Sequence, residues 1–173
     1  MVYLEEVADT PPEGTASMLQ ELGAGESGFG GTAFGTGELG MSEFLRITMK
    51  QANSEALPEG WVPQTTFWMI VDGSAVGLLR LRHHLNESLL VKGGHIGYYV
   101  RPAARREGVA SEALRLALAE AAKRGIFSVM LTTNPENRGS IKVIEQNGGK
   151  LRKQIADTED EGTISQYWIE LAK

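Results

Sequence analysis

Apolar and polar positions alternate along this chain with two different periods, and the change of period marks the elements. Over residues 109–124, Ala110, Ala113, Leu114, Ala117, Leu118 and Ala121 fall at helical spacing, while Glu112, Arg115, Glu120, Lys123 and Arg124 take the opposite face. That pattern predicts an amphipathic helix, and Gly125 supplies its C-terminal stop. Residues 94–100 have the β-branched and aromatic content of a strand, ended by Pro102. Residues 65–71 and 75–84 alternate as strands around the tight turn Asp72-Gly73-Ser74. Further strands are predicted at 2–7, 126–132, 151–156 and 164–171, the last two as a hairpin across an acidic turn at 157–162. Helices are predicted at 13–22, behind Pro11-Pro12, at 42–56 with Ser42 as N-cap, and from Asn137 to the Gly148-Gly149 pair. The total is about seven strands and four helices in a mixed α and β chain without internal repeats.

Two segments carry no such pattern. Eight of the eighteen residues at 23–40 are glycine, so ordering them costs entropy, and a mobile loop is expected. Gly23-x-Gly25-x-x-Gly28 and Gly35-x-Gly37-x-x-Gly40 spell a dinucleotide fingerprint, but neither follows the buried strand that such a site needs. Residues 86–93 are expected to form a second loop.

At 173 residues and 42% hydrophobic content, the chain suits one domain spanning 1–173. Zero cysteines exclude disulfides, thiolate metal sites and a cysteine nucleophile, which suits a reducing interior, and the cytoplasm is the expected compartment. The first residues show no signal-peptide pattern, and the densest apolar run, at 67–71, is too short to span a bilayer. A net charge of -5 argues against nucleic-acid binding and favours a cationic or amine-bearing partner.

The run from Val100 to Ser111 joins the end of a strand to the start of a helix and reads as a pyrophosphate cradle. The first helical turn has N–H groups without intrahelical partners and a partial positive charge, which together stabilise an anion. Gly108 removes the side chain that would block it, Arg105 and Arg106 add charge at the rim, and Ser111 offers a hydroxyl. Paired arginines oppose the helix dipole unless an anion compensates them.

Arg105-x-x-Gly108-x-Ala110, after a strand ending Val100-x-Pro102, resembles the acyl-CoA pyrophosphate motif of the GCN5-related N-acetyltransferases (GNAT). Asn137-x-x-Ser140 opening the next helix extends the resemblance, as do Val62-Pro63, the 82–86 and 93–98 stretches, Asn147-Gly148-Gly149 and Tyr167-Trp168-Ile169. It covers roughly residues 62–171 and is strongest with one bacterial branch of acetyltransferases of this family. It implies an α/β (α+β) fold: a single domain with a mixed, largely antiparallel sheet, helices on both faces and a splayed central strand pair. It further implies an acyl-CoA-binding core at about 93–150. The main chain of Tyr98 to Val100 would pair with pantetheine, Arg105, Arg106, Gly108, Val109, Ala110 and Ser111 would cradle the pyrophosphate, and Asn137 and Ser140 would meet the pantetheine arm.

The reaction so implied is attack of a primary amine on acetyl-CoA by direct transfer, without a covalent enzyme intermediate. Many relatives carry a glutamate base where this chain has His95, and an imidazole can serve near neutral pH; a structural histidine is the alternative reading. The tyrosine that commonly protonates the departing thiolate is replaced here by Ile144. Arg82 and His83 are placed on the acceptor side. His83 and His84 point to opposite faces of a strand, so no metal site is expected. The acceptor is a small amine or a protein amine, and a homodimer is compatible with the family. A non-catalytic acyl-CoA-binding sensor is the alternative from another class, and a binder of some other nucleotide is a third.

Overall fold

The computed structural model describes residues 1–55 and 57–173. Along them run β1 (Val2–Glu6), α1 (Thr15–Leu22), β2 (Gly25–Glu26), β3 (Phe29–Gly30), α2 (Met41–Gln51), β4 (Gln64–Val71), β5 (Ser74–Arg82), α3 (Glu87–Val91), β6 (Ile96–Val100), α4 (Val109–Lys123), β7 (Ser128–Thr133), α5 (Arg138–Gln146), β8 (Lys150–Ala156) and β9 (Thr163–Glu170). Helix α2 stops at Gln51, with Ala52 as its C-cap and turns at 52–54, short of the expected end near Ala56, a position that itself lies outside the described residues.

The strands form an antiparallel four-stranded sheet in the order β1-β4-β5-β6 and an antiparallel three-stranded sheet in the order β7-β9-β8. Among the described residues, backbone pairing joins the two only at the head of β6, where Gly94 bridges Leu131 and the His95 N–H donates to Met130 O at 2.8 Å. Beyond that vertex no pairing joins β6 to β7 among the described residues, so the central strands splay as expected.

Both faces of β4 are buried, which explains the unbroken apolar run Phe67–Val71 in its second half. Phe67 and Met69 share a core with Leu79, Leu81 and the α4 side chains Val109, Ala113, Leu114, Ala117, Leu118 and Ala121. Trp68 and Ile70 point the other way, into a second core with Leu78, Tyr99 and the α1 and α2 residues Met18, Leu19, Leu22, Phe44 and Leu45. Truncating fully buried Leu114 to alanine is therefore expected to cost about 2–5 kcal/mol.

Local differences from the sequence reading have physical causes. Within residues 23–40, where composition suggests a loose loop, β2 and β3 form a short antiparallel ribbon around Ser27 and Gly28, both at positive φ. Its glycines answer to crowding as well, because a Cβ on Gly31 would collide with Gly23 O and one on Gly35 with Leu19 O. The stretch read as a loop at 86–93 contains α3, capped by Asn86, whose Oδ1 accepts the Leu89 N–H at 2.9 Å. Helix α2 begins at Met41 behind Gly40, so Ser42 lies inside the helix and is not its N-cap. Among the described residues there are five α-helices and nine strands, two of the strands being the two-residue arms of the ribbon.

Candidate active site

The β6 edge that faces β7 is assembled by register. Arg82 N–H donates to His95 O at 2.7 Å and Arg101 N–H to Val76 O at 2.8 Å, which makes odd-numbered β6 residues the hydrogen-bonded partners of β5. Alternation therefore turns the backbone N–H and C=O groups of Ile96, Tyr98 and Val100 into the gap beside β7.

At the end of β6 the chain turns through Pro102–Ala104 into α4, with Arg106 at φ 65° and the N-capping Gly108 at φ 76°. A Cβ added to Gly108 would have nothing within 4 Å, so the mouth of the helix is open. Among the described residues, no acceptor meets the backbone N–H groups of Arg106, Glu107, Gly108, Val109, Ala110 or Ser111. Such a run of oriented donors at a helix N-terminus is an anion cradle.

A cleft of about 720 Å³ opens on this cradle and is lined by all of Tyr98, Val100, Arg105, Arg106, Gly108, Val109, Ala110, Ser111, Asn137 and Ser140. Several of these side chains already have work inside the protein. Arg105 Nε donates to Val100 O at 2.8 Å, its Nη2 meets the Glu26 carboxylate from the glycine-rich ribbon, and its guanidinium lies 5.7 Å from the Tyr99 ring. Ser111 Oγ accepts from Asn147 Nδ2 at 3.3 Å. Asn137 caps α5, with Oδ1 accepting the Ser140 N–H at 3.1 Å.

Tyr98 and Ser140 stand where this cleft continues into a second one along the β6/β7 gap, lining both. Their hydroxyls are 3.1 Å apart, and burial pushes the Tyr98 phenol up despite that bond. Ile144, at the position of the usual family acid, also lines the second cleft but is 1% exposed and belongs to the α4 core. The acidic turn between β8 and β9 closes the far side with Asp157, Asp160 and Glu161, the first two held by Lys92 Nζ at 2.8 Å each.

Neither His95, expected as the base, nor His83, expected on the acceptor side, lines a cleft. His95 is 7% exposed and lines none of the three clefts; its Nδ1 accepts the Met130 N–H at 3.0 Å. Burial, then the Arg82 and His84 charges, lowers its pKa to about 4. Its ring is tied into the vertex of the two sheets, and Gly97 makes room for the Phe29 ring instead of for it. His83 bonds Thr65 Oγ1 at 2.8 Å, on the face of the sheet that carries α4, and is likewise away from the clefts.

Arg82 does line a cleft, and so does Arg80, which is not among the residues expected from the sequence. Both line the gap cleft and a third cavity of about 560 Å³ beneath α2. The signal was present in Leu78-x-Arg80-x-Arg82, whose period of two puts both arginines on one face.

A family model for an acetyltransferase (GNAT) domain matches residues 34–150, more than half of the chain. No curated protein matches the sequence. Among solved structures, a GNAT-family acetyltransferase from Streptococcus pneumoniae is similar at 16% identity and a TM-score of 0.66, covering 99% of this chain and 100% of that one. An N-acetyltransferase from Staphylococcus aureus Mu50 shows 14% identity and a TM-score of 0.66, with 99% of each chain covered. The ribosomal L7/L12 α-N-protein acetyltransferase RimL in complex with coenzyme A shows 13% identity and a TM-score of 0.66, covering 96% of this chain and 98% of that one. At these identities the likenesses bear on the fold alone, and they agree with the family match. With its splayed strands, its open helix mouth and a domain model spanning both, the chain belongs to the GNAT acetyltransferase family.

Proposed function

We propose that the protein is an N-acetyltransferase that moves an acetyl group from acetyl-CoA to a primary amine by direct transfer in a ternary complex. The observation that carries this reading is the continuity of the N–H cradle at Arg106–Ser111 with the β6/β7 gap through two clefts that share Tyr98, Asn137 and Ser140. Acetyl-CoA supplies an activated acyl group as a thioester, and the fit of this chain to it rests on the open Gly108 mouth and the donors around it.

The residues divide the work by position. The N–H groups from Arg106 to Ser111, with Arg105 and Arg106 at the rim, hold the pyrophosphate. The main chain of Tyr98 and Val100 offers the paired donor and acceptor along which an extended amide arm adds like a strand, while Asn137 and Ser140 flank it. A β6 N–H in the same stretch polarises the thioester oxygen as charge develops there. Holding amine and thioester in contact supplies most of the acceleration, since a bimolecular step becomes effectively unimolecular.

The proton transfers use groups other than His95, which is tied into the sheet junction. Tyr98, kept protonated by burial and aligned by Ser140, gives its proton to the departing thiolate. The amine's proton passes to the carboxylates lining the gap, of which Glu136 and Glu161 have no lysine partner among the described residues. Steady-state release of CoA on addition of amines tests the reading: turnover supports it, and tight acetyl-CoA binding without turnover for any amine identifies a non-catalytic sensor.

A further inference from the structure

The floor of the 560 Å³ cavity interrupts the hydrophobic pattern of the sheet. Along the face that buries Trp68, Ile70 and Leu78, β4 and β5 turn polar together: Thr66 stands opposite Arg80 and Gln64 opposite Arg82. Gln64 and Thr66 are buried, and two like charges share the same surface. Neither arginine has a carboxylate within salt-bridge distance among the described residues.

Backbone carbonyls hold both guanidinium groups in place. Arg80 Nη1 and Nη2 donate to Gly30 O at 3.0 Å and Gly31 O at 3.3 Å, with the guanidinium 4.3 Å from the Phe29 ring centroid. Arg82 Nη1 donates to Gly94 O at 3.1 Å and Gly93 O at 3.3 Å. Each guanidinium keeps further N–H donors that these carbonyls do not use. Burial, then Arg82, draws the pKa of Arg80 down to about 10, which leaves it cationic at neutral pH. Two oriented, partly desolvated cations without a counter-charge are unfavourable unless an anion completes them.

We propose that this cavity binds the carboxylate of the acceptor, so that the substrate is an amine carrying a carboxylate close to its nitrogen. The inference deepens the acetyltransferase reading and rests on it for the role of the amine. Arg80 lies directly opposite Gly97 of β6, one strand spacing, about 5 Å, from the edge of the gap. A carboxylate at Arg80 and Arg82 therefore places a nearby ammonium beside the gap, where Glu136 and Glu161 face it. The rest of the cavity wall includes Leu39, Phe44, Ile47 and Trp61, which suit the carbon body of an organic acid better than a strongly hydrated phosphate.

The test is a titration of the isotope-labelled full chain with acetate, chloride and phosphate at matched ionic strength, following the Nε–H resonances of Arg80 and Arg82. Saturable shifts with acetate and not with chloride are expected. Weakening of acetate binding on the order of tenfold is expected in Arg82→Gln and, as the gentler variant, Arg80→Lys. Failure of acetate to saturate the shifts, or saturation by phosphate alone, overturns the inference. Backbone signals of Gly108 and Ser111, followed on addition of acetyl-CoA, read the parent proposal separately. Silence there with acetate still seated removes the acetyl-CoA assignment and leaves the carboxylate pocket standing.

Discussion

The Nδ1 atom of His95 accepts the Met130 N–H at 3.0 Å while the His95 N–H donates to Met130 O at 2.8 Å, so one residue closes both backbone groups of its neighbour on β7. The contact places the ring proton on Nε2 and pins the two sheets together at the point from which β6 and β7 diverge.

Because burial and neighbouring cations hold the His95 pKa near about 4, the folded protein binds fewer protons than the unfolded chain, whose histidines titrate near about 6.5. The stabilisation is complete above about pH 6.5 and declines as the pH falls toward about 4. Urea midpoints measured across that window should fall in the wild type and fall less steeply in His95→Gln. The variant should lose about 1–3 kcal/mol on the neutral plateau, from the orphaned Met130 N–H. Its kcat, measured where it remains folded, should stay within about tenfold of wild type, whereas a general base would cost about a hundredfold or more.

Tyr98 and Ser140 share a hydrogen bond of 3.1 Å at the junction of two clefts, and burial keeps the phenol protonated at neutral pH. Tyr98→Phe should lower kcat on the order of a hundredfold with little change in acetyl-CoA affinity. An unchanged kcat would mean that the thiolate departs without an acid from the protein, in keeping with a thiol pKa of about 8.5.

Glu26, on the glycine-rich ribbon, occupies Arg105 at the rim of the cradle. An incoming phosphate competes with that carboxylate, and both partners are exposed, so the pair is worth about 1 kcal/mol at most. Glu26→Gln should therefore tighten acetyl-CoA binding by up to about fivefold at low ionic strength, and the gain should vanish in high salt. Calorimetry at two salt concentrations distinguishes this from a structural effect, which salt would leave in place.

Much of the architecture is legible in the chain because local pattern and tertiary role coincide there. The 3.6-residue stripe of α4 is the stripe that packs on the four-stranded sheet, and the aromatic run of β6 is followed at once by the proline, arginines and glycine of the turn. The residues named for the cradle line one cleft because they are consecutive, so a correct strand and helix suffice to bring them together. Long-range geometry was hidden. Composition says nothing of Gly31 and Gly35 lying against distant carbonyls, so an ordered ribbon reads as a loop. For His95 the strand alternation was legible, but its neighbour across the junction, Met130, is 35 positions away, and without that partner a strut and a base look alike. Arg80 does not stand out in the sequence because an arginine in a strand is ordinarily a solvated edge residue, and only the cross-strand pairing with Thr66 reveals a polar floor.

Calorimetric titration of acetyl-CoA into the wild type, Gly108→Ala and Gly108→Glu tests the central claim most directly. Gly108 sits at φ 76°, so any side chain there costs about 1–2 kcal/mol of strain, and the alanine variant measures that cost without filling the cradle with charge. One-to-one binding by the wild type and Gly108→Ala, abolished in a folded Gly108→Glu, is the result expected of a pyrophosphate cradle at the mouth of α4. Absence of binding in the wild type, or equal binding by Gly108→Glu, would contradict it.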